Sequence, residues 1–176
     1  MRYNADMLMQ SRQFQDIRVI NMRDGQPTTK ILRPIIDPFK LEVAGFYTDH
    51  KPENILLVRN IRELNRKQVM IDDVDALSSK DELPRLKEVL DINYQLGGKR
   101  AVTYSKKRLG KVEDYIVDTV SYRIEKIHVH QPVWRSFSGG LLIVDRKQIL
   151  EVDNHKVTVS DATIQSHGLA TQQTPT

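Results

Sequence analysis

Cysteine is absent from all 176 residues. That excludes disulfides, thiolate zinc sites, cysteine-ligated iron–sulfur clusters and a cysteine nucleophile, and it fits a reducing compartment. Long apolar runs are absent as well. The longest aliphatic stretches are four residues, ILLV at 55–58 and LLIV at 141–144, against the ~20 that a bilayer-spanning helix needs. The opening MRYNADMLMQSR lacks the apolar centre of a secretory signal. The expectation is a soluble, cytoplasmic chain without a membrane span. Charge of one sign is not in large excess either. Lys and Arg number 27 against 23 Asp and Glu, a formal +4, which permits an anionic partner without demanding one.

Catalytic signatures are missing one after another. Gly97-Gly98-Lys99 superficially suggests a phosphate loop, but Asn93 stands where its first glycine belongs and Arg100 where Ser or Thr belongs. No G-x-S-x-G elbow occurs, and Ser138-Gly139-Gly140 reads as a turn. The acidic run Asp72-Asp73-Val74-Asp75 lacks the glycine and closing glutamate of a calcium loop. A Ser/His/Asp set drawn from distant positions stays open, because triads are spatial. The expectation is a non-enzymatic chain with no cofactor.

What is present is an internal repeat. Residues 31–49 read ILRPIIDPFKLEVAGFYTD and residues 112–130 read VEDYIVDTVSYRIEKIHVH. Set 81 positions apart, Ile31 meets Val112, Ile36 meets Val117, Asp37 meets Asp118, Val43 meets Ile124, and Phe46 meets Ile127. An aliphatic block follows in each, Leu56-Leu57-Val58 and Leu142-Ile143-Val144, then a short β-type segment, VMIDD at 69–73 and VTVSD at 157–161. The shared apolar positions, Ile143 among them, are expected to be buried. Asp37 and Asp118 are read as caps of two hairpin turns, since Asp side chains bond nearby backbone N–H groups. Pro34, lacking an N–H, predicts an edge strand. Between the copies, Ser79 and Glu82 form a capping-box pattern ahead of Leu83, Leu86 and Leu90 at helical spacing. The division is 8–79, a helical linker at 80–98, 99–164 with a first strand that begins as early as 86, and a disordered polar tail at 165–176.

Two constellations are candidates for binding. Residues 92–112 contain no acid, while Lys99, Arg100, Lys106, Lys107, Arg108 and Lys111 are basic, with Tyr94 and Tyr104 interleaved. Such a window suits phosphates or an acidic protein surface; it equally suits a lysine-guarded strand edge. His128 and His130 would share one face of a strand, a spacing at which imidazoles can share a metal, though a solvated stripe beside buried Ile127 and Val129 explains them too. No metal site is assigned.

Arg108-Leu109-Gly110-Lys111-Val112-Glu113-Asp114-Tyr115-Ile116-Val117-Asp118 resembles the opening signature of the PRC-barrel domain. ILEVDNHKVTVSD at 149–161 resembles that family's closing strands, and residues 83–96 resemble the joint of proteins that carry two such barrels. In the first copy Thr29 replaces Gly110 and Pro34 interrupts the strand. The resemblance spans about residues 8–164. It implies a mainly β chain: two tandem small PRC-like β-barrels joined by a short helical linker. The family takes its name from the H subunit of the photosynthetic reaction centre, and its barrel also closes a ribosome maturation factor. It implies docking modules rather than active sites. The expected function is therefore a non-enzymatic protein-binding adaptor or scaffold, in RNA or ribosome metabolism. The alternatives are RNA binding through the basic window, with Tyr104, or assembly of a membrane complex.

Overall fold

Short runs of β-branched and aliphatic residues, broken every few positions by turn residues, favour strands over helices here. The structure, a computed structural model, describes residues 8–52, 54–131 and 140–162. It is mainly β. In chain order come β1 (Leu8–Gln10), β2 (Arg18–Asn21), β3 (Pro27–Asp37), β4 (Glu42–Thr48), β5 (Ile55–Leu57), β6 (Ile61–Leu64), β7 (Gln68–Ile71) and β8 (Leu77–Ser78). A short helix, α1 (Lys87–Ile92), precedes β9 (Arg100–Thr103), β10 (Arg108–Asp118), β11 (Ile124–His130), β12 (Leu141–Asp145), β13 (Ile149–Val152) and β14 (Lys156–Val159). Among the described residues no helix is long and apolar enough to cross a membrane. The tail expected at 165–176 lies outside the described residues.

The chain forms two compact units. One takes the residues up to Gln95 together with Ile116–Ile124; the other takes Leu96–Tyr115 and the chain from Glu125 on. In the first unit the strands run β6-β7-β2-β3-β4-β5-β8. Phe14 and Phe46, both fully buried, meet with ring centroids 5.2 Å apart. Each such side chain contributes roughly 1.5–3 kcal/mol on burial. The same unit holds the hairpin tip at 116–124. There Val43 N–H donates to Tyr122 O at 2.8 Å and Ile124 N–H to Leu41 O at 3.2 Å. Leu41 and Tyr122 are equivalent in the repeat, and both take a left-handed φ, 51° and 59°. In the second unit the order is β12-β11-β10-β9-β14-β13.

The repeat extends to strand register. In the first copy Arg18, Val19 and Ile20 of β2 pair with Lys30, Thr29 and Pro27, with a bulge after Val19. In the second, Arg100, Ala101 and Val102 of β9 pair with Lys111, Gly110 and Arg108, with the same bulge. Both inner strands then pair in parallel with the last long strand of their copy, Arg18 opposite Gln68 and Arg100 opposite Lys156. His130 to Asp145 spans 15 steps where Asp49 to Leu57 spans 8, so the copies fall out of their first alignment after β4 and β11.

One expectation changes on β12, although a shift of two residues leaves each side chain on its own face. Phe46 faces Leu56 and Ile127 faces Val144, so the counterpart of Leu56 is Val144, two places beyond Leu142. Leu142 and Val144 are buried, whereas Ile143 is 43% exposed because successive strand residues point to opposite faces. Ile36, Val43, Phe46, Leu57, Val117, Ile124 and Ile127 are buried.

Two further expectations change. β3 is not an edge strand, since β2 and β4 flank it. Its pairing with β2 covers only 27–30, however, so among the described residues β4 is the one strand beside Pro34, and the open side tolerates a residue without an N–H. The joint is not one helix from Ser79 on. The capping box forms, with Ser79 N–H donating to Glu82 Oε2 at 2.7 Å, but it closes a single 3-10 turn, Lys80–Glu82. Pro84 disfavours the helical region for Leu83, which sits at φ −118° and ψ 55°. A second 3-10 turn, Pro84–Leu86, intervenes before α1, and the first strand of the second copy begins at Arg100 rather than near 86.

Candidate docking site

In the first unit the joint packs its apolar side chains onto the sheet. Leu83, Val89 and Leu90 bury against Ile35, Ile55 and Leu57, with Ala44, Tyr47 and Leu86 partly covered at the margin. Polar contacts fix its course: Lys80 pairs with Asp91 at 2.6 Å, Arg33 donates to Asn93 Oδ1 at 2.8 Å, and the Arg33 guanidinium lies 4.3 Å from the Tyr47 ring centre. Because Leu86 is only partly covered, a groove of about 400 Å³ remains between the joint and the sheet. Its apolar lining comes from Ala44, Leu57, Val58, Leu83, Pro84 and Leu86; Arg59, Arg85 and Glu82 supply the charge. Glu82 is engaged by the N–H and hydroxyl of Ser79, which hold its carboxyl below the ordinary value. Among the described residues neither arginine has an ion-pair partner. The sequence pattern marked Leu83, Leu86 and Leu90 as packing residues and missed the groove, because the break at Pro84 creates it.

The basic window lies in the second unit. Arg100 is on β9, Arg108 and Lys111 are on β10, and Tyr104, Lys106 and Lys107 form the turn between them. Thr103 builds that turn: its N–H donates to Lys107 O and its carbonyl accepts from Lys106 N–H, each at 2.9 Å, and its hydroxyl accepts from Lys107 N–H at 3.1 Å. Lys106 takes a φ of 65° as a result. Asp161 accepts from the Ser105 hydroxyl at 2.7 Å, and that bond is the main reason its carboxyl sits below the ordinary value. Arg100, Lys106, Lys107, Arg108 and Lys111 are exposed. Lys99 is half-buried, with its ammonium on Asn154 O at 2.5 Å. Tyr104 is 74% exposed, but Tyr94 is 3% exposed and belongs to the first unit's interior, so it offers no stacking face to a ligand.

Register adds a cation that the linear window omits. Lys111 and Lys156 flank Arg100 on its two neighbouring strands. The pairing of β9 with β14 is a long-range choice that no local pattern announces.

The remaining candidates resolve into local structure. Asp37 Oδ1 accepts the N–H groups of Phe39 and Lys40 at 2.9 and 3.2 Å, and Asp118 Oδ1 those of Val120 and Ser121, both at 2.9 Å. Both carboxylates close their hairpins. On β11, His128 and His130 alternate with fully buried Ile127 and Val129. His130 Nδ1 lies 3.9 Å from Glu113 Oε2. Among the described residues no three His, Asp or Glu side chains gather as a metal site. No family model and no curated protein matches this chain.

Proposed function

We propose that this chain is a non-enzymatic protein-binding adaptor made of two PRC-barrel-type modules, whose first unit receives a short partner segment in the groove beneath Leu86. One observation carries the reading: an apolar floor is rimmed by two arginines, Arg59 and Arg85, neither of which has an ion-pair partner among the described residues, while Glu82 is engaged by Ser79. An aliphatic side chain followed by a carboxylate complements that arrangement, the first by area burial and the second by charge-assisted hydrogen bonding. The recurrence of strand order and register supports a duplicated module, and the absence of cysteine is compatible with work in a reducing cytoplasm. Adaptors in RNA or ribosome metabolism fit this description.

The test is selection of the full chain against a displayed library of short random peptides. Enrichment of Leu, Ile or Val beside Asp or Glu is expected, with binding weakened by salt and lost in Arg59→Glu/Arg85→Glu. Selection of sequences without acidic residues, or undiminished binding by the double variant, would overturn the reading.

A further inference from the structure

The two copies share a backbone corner but neutralise it differently. In the first, Arg18 stands beside Lys30 and Gln68. Lys30 is paired with Asp16 at 2.9 Å, and Asp49 accepts the Lys30 N–H at 3.0 Å. Two cations there meet two acids, and the third place in the row is neutral. In the second copy Arg100 and Lys111 keep the two cations, while the places of the two acids and of Gln68 change towards positive charge. Gly98 occupies the place of Asp16: Asp16 N–H donates to Ile31 O and Gly98 N–H to Val112 O, at 2.8 and 2.7 Å. His130 occupies the place of Asp49, Lys156 that of Gln68, and Lys99 that of Ile17.

The result is a row of Lys111, Arg100 and Lys156 abreast on three hydrogen-bonded strands. Side chains opposite one another in a ladder lie about 5 Å apart, and like charges there repel. Among the described residues two carboxylates stand near this row. Asp153 Oδ2 is 4.0 Å from Lys156, while its Oδ1 accepts the N–H groups of His155 and Lys156. Glu113 is turned to His130. The positive excess therefore remains, and an external anion would relieve it. Two residues along β9 the same face carries Arg108 beside Val102 and Glu151 beside Thr158, and about 13 Å from Arg100, four strand residues, Lys106 and Lys107 stand around the exposed ring of Tyr104, with Asp161 held on Ser105. A single phosphate would occupy the row alone. A cationic track ending in a free aromatic face suits a polymer whose phosphates repeat and whose bases stack.

We propose that this face of the second unit, from Lys111, Arg100 and Lys156 to Tyr104, binds the phosphodiester backbone of a single-stranded nucleic acid. The site is separate from the first unit's groove and stands whether or not that groove binds a peptide.

The experiment measures fluorescence anisotropy of labelled oligouridylate and oligothymidylate, equal in length, with the full chain across a salt series. Binding should weaken with salt, with a slope of about −0.7 in log affinity per log salt for each phosphate contacted. Lys111→Gln/Lys156→Gln should shallow that slope by about 1.4, two contacts' worth. Tyr104→Ala should lower affinity roughly tenfold or more while leaving the slope unchanged, as loss of stacking does. Lys30→Gln, the counterpart in the first copy, should leave binding as it was. A preference for one oligonucleotide tells RNA from DNA within the proposal. No binding at low salt, or a slope unmoved by the double glutamine variant whose melting curve is intact, would overturn it. So would equal binding of a phosphoserine peptide, which would point to a phosphoprotein, or displacement by inorganic phosphate at concentrations matching the oligonucleotide's phosphates, which would mark a simple anion site.

Discussion

The first copy's β2–β3 corner and the second copy's β9–β10 corner have one register and opposite solutions to it. At the position of Thr29 the first copy keeps a side chain, and its hydroxyl donates to Asp49 Oδ1 at 2.5 Å. At the same position the second copy has Gly110, and the neighbouring strand closes in: a Cβ there would lie 2.0 Å from His130 O and 2.9 Å from its carbonyl carbon. One corner is joined by a side-chain hydrogen bond to an acid, the other by direct backbone approach. The first arrangement places carboxylate beside the cations; the second removes it. The difference teaches that a duplicated scaffold can keep its pairing while one copy gives up internal charge balance.

The most severe way to break this comparison is Gly110→Ala. Both atoms it would strike are backbone, and φ at Gly110 is +155°, unfavourable for any L side chain. A loss of about 4 kcal/mol is expected, at the upper end for a single substitution. Thr29→Ala removes one exposed hydroxyl bond and should cost about 1 kcal/mol. Urea denaturation of both variants decides the matter. Similar losses would mean that the second corner opens to admit a methyl group and that the two joints are not different in kind.

A second test concerns the offset between copies. Leu142→Ala empties a site that is 2% exposed and should cost about 3 kcal/mol. Ile143→Ala, one residue on and facing solvent, should shift stability by less than about 0.5 kcal/mol. The reverse order would mean that β12 is displaced by one residue and turns its other face to the core.

Local signals in the sequence foretold local structure well. The apolar periodicity of 31–49 and 112–130 placed the two long hairpins, and Asp37 and Asp118 announced their own turns because an Asp carboxylate reaches backbone N–H groups two and three residues on. Non-local choices were silent. Nothing near Arg100 indicates that Lys156 will lie beside it, since parallel partners are chosen by the whole sheet. Nothing near Leu83 indicates a groove, and the helical spacing of Leu83, Leu86 and Leu90 was read without the break that Pro84 imposes. Ile143 was misplaced because an aliphatic block of three does not tell whether one face of its strand is covered or both: its register counterpart Ile55 is buried against Leu83, Val89 and Leu90, whereas Ile143 faces solvent. The binding candidates were half legible for the same reason: the window's cations are contiguous in sequence, whereas the missing acids show only when the copies are superposed residue by residue.

The finest contrast is in response to acid. The Thr29 hydroxyl, and after it the Lys30 N–H, hold the Asp49 carboxyl below 3.8, the ordinary value for an aspartate. A carboxyl depressed in the folded state binds its proton less readily there than in the unfolded chain. Its contribution to stability is therefore complete above the unfolded value and disappears as pH falls below 3.8 and through the folded value. His130, in the equivalent place, carries no carboxyl that could do this. Asp49→Asn keeps an oxygen to accept from Thr29 but removes the titration. The variant lacks the contribution at every pH, so it should melt slightly below the parent at neutral pH, meet it in acid, and show a shallower acid-unfolding curve below pH 3.8. His130→Asn should leave the acid limb as it is. Asp49 is exposed, so water screens the effect and it will be the smallest of those expected here. Acid unfolding monitored by far-ultraviolet circular dichroism measures it. Identical acid limbs for the Asp49→Asn and parent proteins would show that the acid in the first corner serves its cations alone, and that the two corners differ in charge without differing in pH response.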